Sequence, residues 1–308
     1  MLYKKYPYKK EIDEFFNKKR KINKKIPKLK NKIKKIFIII GKIVNHISIR
    51  VFKTKYNRFR RNRFWWDKEK GLKLAKIIIL SGAGISAESG ISTFRDEDGL
   101  WENHKIEDIC VSGCLDFNKD NTIKFYDMLR VNLKDKKPNY AHEVVAKLKN
   151  KYPDDIAVIT QNVDDMFEKA NCKDVLHLHG FLQELRCVNC NNIVNIGYEE
   201  QFGKYETCPK CSDFLRPNIV FFAEDAPKYI NMYNEFYDCE VLVVIGTSGA
   251  VINTDRLLTS KIKFSILNNL EKSVFLNDSL YSKVLYKKAS LAIDEIAKDI
   301  EEYLNKSR

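Results

Sequence analysis

No stretch of this 308-residue sequence is apolar for long enough to cross a membrane. A span takes about 20 apolar residues. The longest early run, Ile36 to Ile40, is soon followed by Lys42. That run also starts too late, behind too many charges, for a secretory signal. A secreted disulfide framework is missing too. Of eight cysteines, four form two C-x-x-C pairs, while Cys110, Cys114, Cys172 and Cys239 are scattered through an enzyme-sized chain. Such usage suits a reducing compartment, so a cytoplasmic location is expected. Internal repeats are absent, which excludes a solenoid. So is the G-x-G-x-x-G fingerprint, which weighs against a plain dehydrogenase.

What is present divides at about residue 70. Residues 1–70 hold 25 Lys and Arg against five Asp and Glu, a net of +20. The whole chain carries +14, so residues 71–308 carry −6. Aromatics such as Tyr3, Tyr56, Trp65 and Trp66 interleave with the cations. A basic arm of this kind is expected to meet nucleic acid or an anionic membrane surface, or to be a solvated tail without a specific partner. Lys28 to Phe52 is a candidate basic amphipathic helix. The plainer alternative is a start codon placed too early. With no methionine between Met1 and Met128, it requires an unusual start near Leu72 or Leu74.

From Lys76 onward the character changes. Ile77 to Leu80 is a short, continuous apolar run against a Gly-rich turn, as a parallel strand buried on both faces requires. Similar runs recur at Ile156–Ile159, Ile219–Phe222, Val241–Ile245 and Phe264–Leu267. Helical patterns lie between most of them. One is capped by Asn139 after Pro138 and runs through Ala141, Val144, Val145 and Leu148. Another covers Asp294 to Leu304. Alternation of this kind predicts an α/β fold, a Rossmann-type doubly wound parallel sheet. Residues 181–216 break the pattern and read as an inserted metal module.

Four motifs carry chemistry. Ser81-Gly82-Ala83-Gly84-Ile85-Ser86 follows the first strand. Glycines at a strand-to-helix turn let backbone approach a pyrophosphate, and the next helix N-terminus offers N–H groups. A purely structural Gly-rich turn fits that segment equally well. Phe94, Arg95 and Trp101 follow, and Arg95 is a mobile cation able to meet phosphate charge. The second motif, Thr160-Gln161-Asn162-Val163-Asp164, lies at the carboxyl end of a strand, where open α/β sheets bind ligands. By itself it reads first as a polar strand-end turn, since Asn and Asp are common turn residues. The third is His177-Leu178-His179-Gly180. In an extended segment, residues two apart share a face, and a neutral imidazole is the natural general base near pH 7. The fourth is the most specific. Cys187-x2-Cys190 and Cys208-x2-Cys211, 17 residues apart, have the ligand count and spacing of a four-thiolate zinc ribbon. Four thiolates leave no open position for water, so the expected zinc is structural. Further small or polar residues end later strands: Gly246-Thr247-Ser248 and Asn268.

Taken in this order, the segments resemble the sirtuins over roughly residues 74–305, and most closely their short bacterial members. The resemblance implies NAD consumed as co-substrate and one structural Zn. A substrate peptide lies in the cleft between the two modules. The acyl oxygen of an acyl-lysine attacks the nicotinamide ribose, nicotinamide leaves, and the acyl group ends on ADP-ribose. Carried over by motif, His179 is the general base. Asn162 and Asp164 orient the ribose and nicotinamide, and Gln161 contacts ribose. Gly82, Ala83, Gly84, Ser86, Phe94, Arg95 and Trp101 border the phosphates and the reacting ribose. Gly246, Thr247, Ser248 and Asn268 hold the adenosine half. Phe181, Val220 and Phe221 line the acyl-lysine channel. Backbone around Phe222–Glu224 pairs with the substrate as an added strand. Acyl-lysine proteins are the expected partners.

Three residues depart from the family's usual ones. Ser92 stands for Pro, Asp165 for Gly and Ala223 for Gly. Ala223 adds a methyl where the substrate backbone approaches. The subgroup that favours succinyl- and malonyl-lysine carries Tyr-x-x-Arg beside the pocket. Here Tyr126 is followed by Leu129 at the Arg position, with Arg130 one place late. One residue turns a helical side chain by about 100°. Tyr126 and Arg130 are therefore candidate substrate contacts, with simple acyl groups expected. Two other readings stay open on the residues alone: an ADP-ribosyltransferase or NAD glycohydrolase on the same fold, and a nucleic-acid-binding protein acting through its arm.

Overall fold

The computed structural model describes residues 74–92 and 106–306. The basic arm of residues 1–70, its candidate helix, and Phe94, Arg95 and Trp101 lie outside the described residues. The strands in chain order are β1 (Ile77–Ser81), β2 (Ile156–Thr160), β3 (Val175–His177), β4 (Gly180–Cys187), β5 (Ile193–Asn195), β6 (Leu215–Ile219), β7 (Val241–Ile245), β8 (Phe264–Asn269) and β9 (Lys283–Tyr286). The helices are α1 (Ile106–Ile109), α2 (Cys114–Phe117), α3 (Lys119–Leu133), α4 (Tyr140–Lys151), α5 (Met166–Lys169), α6 (Tyr229–Glu235) and α7 (Ala289–Lys306).

Six strands form one sheet in the order β3-β2-β1-β7-β8-β9, and every neighbouring pair is parallel. This is the strand order of a dinucleotide-binding fold, with its reversal between β1 and β7. The apolar runs explain the layering. Ile77 and Ile79 join a core with Val145 of α4 and Ile293, Ile296 and Ile300 of α7. Ile78 and Leu80 face the other way and pack with Leu242, Val244, Met232 and Phe236. Each such side chain taken from water contributes about 1.5–3 kcal/mol, and strands buried on both faces have no reason to alternate.

The expected run Ile219–Phe222 is placed differently. Its first residue ends β6, which pairs antiparallel with β4 in a separate three-stranded sheet, β5-β4-β6. Apolarity alone does not say which sheet a strand joins. The C-terminal helix begins at Ala289, five residues before its expected start.

Candidate active site

The strand reversal opens a crevice at the carboxyl ends of β1 and β7, and the glycines make it. A Cβ on Gly84 would lie 2.7 Å from Gly246 Cα, and one on Gly246, at φ +66, would lie 2.4 Å from Ile85 N. Two short 3-10 turns, Ala83–Ile85 and Ala87–Ser89, follow β1 where a helix N-terminus was expected. The N–H groups of Gly82 and Gly84 donate to the carbonyls of Ile245 and Gly246. These glycines therefore let two backbones touch and do not cradle phosphate with their own N–H groups.

Next to them the end of β2 delivers a hydrogen-bonded set. Asn162 donates to Ser86 Oγ at 3.0 Å, and Gln161 Nε2 donates to Thr247 Oγ1 at 3.1 Å. Asp164 is buried and accepts from Met166 N–H at 3.1 Å. Burial raises its pKa above the ordinary carboxylate value, opposed by the Met166 and Ser86 hydrogen bonds.

The two histidines have different surroundings. His177 has Nδ1 3.1 Å from the Asn162 carbonyl and Nε2 2.8 Å from Glu168 Oε1, so both nitrogens are engaged. His179 donates from Nδ1 to the Gln161 carbonyl at 2.9 Å, which leaves the lone pair on Nε2. That lone pair accepts from the Tyr229 hydroxyl at 2.8 Å. Burial lowers the His179 pKa to about 4, so the ring is a neutral acceptor at pH 7.

The residues expected on the adenosine side lie at the ends of β7 and β8. Thr247 and Ser248 follow β7, and Ser273 Oγ donates to the Ser248 carbonyl at 2.6 Å. Asn268 spends its Nδ2 on the carbonyls of Leu285 and Lys287, tying β8 to β9. Polar side chains gathered at the carboxyl ends of apolar strands fit a dinucleotide.

Among the residues expected to meet the acyl-lysine, Tyr126 stacks on Phe221 at 5.5 Å and donates to Cys110 Sγ at 3.3 Å. Val220 N–H donates to the His179 carbonyl, and Phe181 packs on His177 at 4.7 Å. Arg130 is elsewhere. It is fully buried, paired with Asp127 and bonded to the Leu182 carbonyl. Burial and the Asp127 pair hold this guanidinium inside the protein, although its Nη2 has no hydrogen-bond partner among the described residues. Added-strand pairing at Phe222 also needs revision. Its N–H donates to Cys110 O and its carbonyl accepts from Ser112, so both groups are spent inside the chain. Ala223 sits at φ +67, the left-handed region that favours glycine, held between Phe221 and Glu224.

At the root of the small sheet Cys187, Cys190, Cys208 and Cys211 bring four sulfurs within 4.8 Å of one another. Pairs lie 3.4 to 3.7 Å apart. A tetrahedral Zn–S distance of about 2.3 Å needs about 3.8 Å, so the cluster fits a zinc ion. The other four cysteines are buried and unpaired. Sequence reading missed Tyr229, Cys110 and His142, whose signals lie in the fold and not in any motif.

The sequence profile of the Sir2 family matches residues 82–253. The chain belongs to the Sir2 family. Two Sir2 relatives are named NAD-dependent protein deacylase. One from Campylobacter jejuni is 48% identical over 75% of this chain and 98% of its own length. One from Helicobacter hepaticus is 37% identical over 75% of this chain and 99% of its own. A crystal structure of a Sir2 homologue with NAD superposes with a TM-score of 0.65 at 30% identity, covering 77% of this chain and 94% of that one. No helix of the described residues is long and apolar enough to cross a membrane.

Proposed function

We infer that this Sir2 chain removes acyl groups from protein lysine with consumption of NAD, in the cytoplasm. The observation that carries the reading is the His179 geometry: a neutral imidazole whose tautomer the Gln161 carbonyl fixes, so that Nε2 is an acceptor. Bound NAD supplies an electrophilic ribose carbon and nicotinamide as leaving group. His179 Nε2 accepts the proton of a ribose hydroxyl, and the Gln161 carbonyl stabilises the imidazolium that forms. Asn162 and Asp164 orient the ribose and the carboxamide. Ser86 holds Asn162 in place. Gly246, Thr247, Ser248 and Asn268 hold the adenosine half, and the family resemblance gives Phe94, Arg95 and Trp101 to the phosphates and the reacting ribose.

Tyr126, Phe181, Val220 and Phe221 give the lysine an apolar channel and exclude water. No cation comes from Arg130, and Leu129 packs with the Tyr126 cluster. An unpaired carboxylate there is costly, so acetyl and other small neutral acyl groups are the substrates. The zinc holds the ribbon together and takes no part in the chemistry. Residues 1–70 concentrate the enzyme on polyanions, and residues 71–308 form the catalytic domain. The test is turnover of an acetyl-lysine peptide by His179→Ala. Loss of about 10²–10⁴-fold supports the assignment. Full activity in the variant, or ADP-ribose transferred to protein in place of deacylation, contradicts it.

A further inference from the structure

The phenol that meets the base is the strongest feature left unused. Tyr229 opens α6 and packs half-buried against the core that holds Ile78 and Leu80. Its hydroxyl lies 2.8 Å from His179 Nε2, with the rings 5.9 Å apart. The direction of that bond is fixed. Nδ1 carries the proton that goes to Gln161, so Nε2 is the acceptor and the phenol is the donor. Burial pushes the Tyr229 phenol above its ordinary pKa, so it keeps its proton. An imidazole nitrogen has one in-plane lone pair. A ribose hydroxyl that His179 deprotonates must use that same lone pair.

We propose that Tyr229 is a positioning residue that caps the catalytic base: its hydroxyl aims the imidazole and competes with the substrate hydroxyl for His179 Nε2. The inference rests on the assignment of His179 as base. Two consequences follow. Binding of NAD must break one neutral hydrogen bond, which weakens affinity by about two- to tenfold relative to an uncapped base. The phenol also stabilises the unprotonated ring, because it can donate only when Nε2 is free. The ring's hydrogen-bond partners are the Gln161 carbonyl, just past β2, and the Tyr229 phenol from α6. No charged side chain is among the causes of its lowered pKa, which are burial and the Gln161 bond.

The experiment compares wild type, Tyr229→Phe, His179→Ala and the double variant. Phenylalanine keeps the packing of the ring and loses only the hydroxyl. Calorimetric titration with NAD should show Tyr229→Phe binding about two- to tenfold more tightly. That gain should vanish in the His179→Ala background, because the cap has nothing to cover. In the pH profile the acid limb of kcat/KM, which reports the free enzyme, should move to higher pH in Tyr229→Phe. The acid limb of kcat should stay, because in the complex the phenol is already displaced. Equal NAD affinity in wild type and Tyr229→Phe overturns the proposal, as does a gain that persists without His179. If His179→Ala is itself fully active, the assignment of the base fails, a result read by turnover and separate from the NAD titration that tests the cap.

Discussion

At the scale of single residues the account depends on small differences of environment between like side chains. His177 and His179 are two residues apart, yet His177 Nε2 is held by the Glu168 carboxylate, whereas His179 Nε2 meets a neutral phenol that a substrate hydroxyl can displace. His177→Ala should therefore keep much of the turnover that His179→Ala loses, and steady-state kinetics on one peptide ranks them. His142 shows the same force acting on stability. It is fully buried, and burial lowers its pKa to about 4 from an ordinary 6.5. The unfolded chain binds the proton first, so stability falls as pH drops from about 6.5 towards 4, by a few kcal/mol at most. Melting temperature against pH should be flatter in that window for His142→Gln than for wild type. Ala223 is the third case. Its left-handed φ of +67 costs about 1 kcal/mol that glycine does not. Ala223→Gly should raise stability by about that amount in denaturant titration. The sequence marked Ala223 and both motif histidines as special. His142 was invisible, because a lone histidine in a helix gives no sign that it caps Asn139 and packs on Phe167.

Elements were legible where burial is two-sided. β1, β2 and β7 are continuous apolar runs because both faces are covered, and the sequence marks them to within one residue. β3 and β9 are short and half-buried, so no periodicity reveals them. Joining of the small module to the sheet was also hidden. Asp165, at the position the family usually gives to glycine, accepts from Tyr198 at 2.5 Å and Gln183 at 2.7 Å. Asp127 accepts from the N–H groups of Gln201 and Phe202. Two buried carboxylates thus clamp residues 198–202, and a carboxylate's partners cannot be read from spacing. The zinc cluster, by contrast, was fully legible, since C-x2-C pairs fix ligand type and count. One zinc per chain should be found by metal analysis of chelator-free protein. Cys190→Ser should lower the melting temperature, because metal binding is partly folding energy.

On the scale of the whole molecule, charge separates the chain more sharply than any motif. Residues 1–70 carry +20 and the remainder −6. Every described group assigned to chemistry lies after Lys76. Deleting residues 1–70 should leave deacylation of a short peptide nearly unchanged and abolish most salt-sensitive binding to DNA or anionic vesicles. The fold and its catalytic groups together make one chemical claim, that the acyl group of lysine is moved to ADP-ribose. Mass spectrometry of wild-type protein with NAD and an acetyl-lysine peptide tests it most directly. The account predicts nicotinamide, free-lysine peptide and O-acetyl-ADP-ribose in equal amounts. NAD consumed without deacetylated peptide, or ADP-ribose found on protein in place of the acetyl ester, would contradict it.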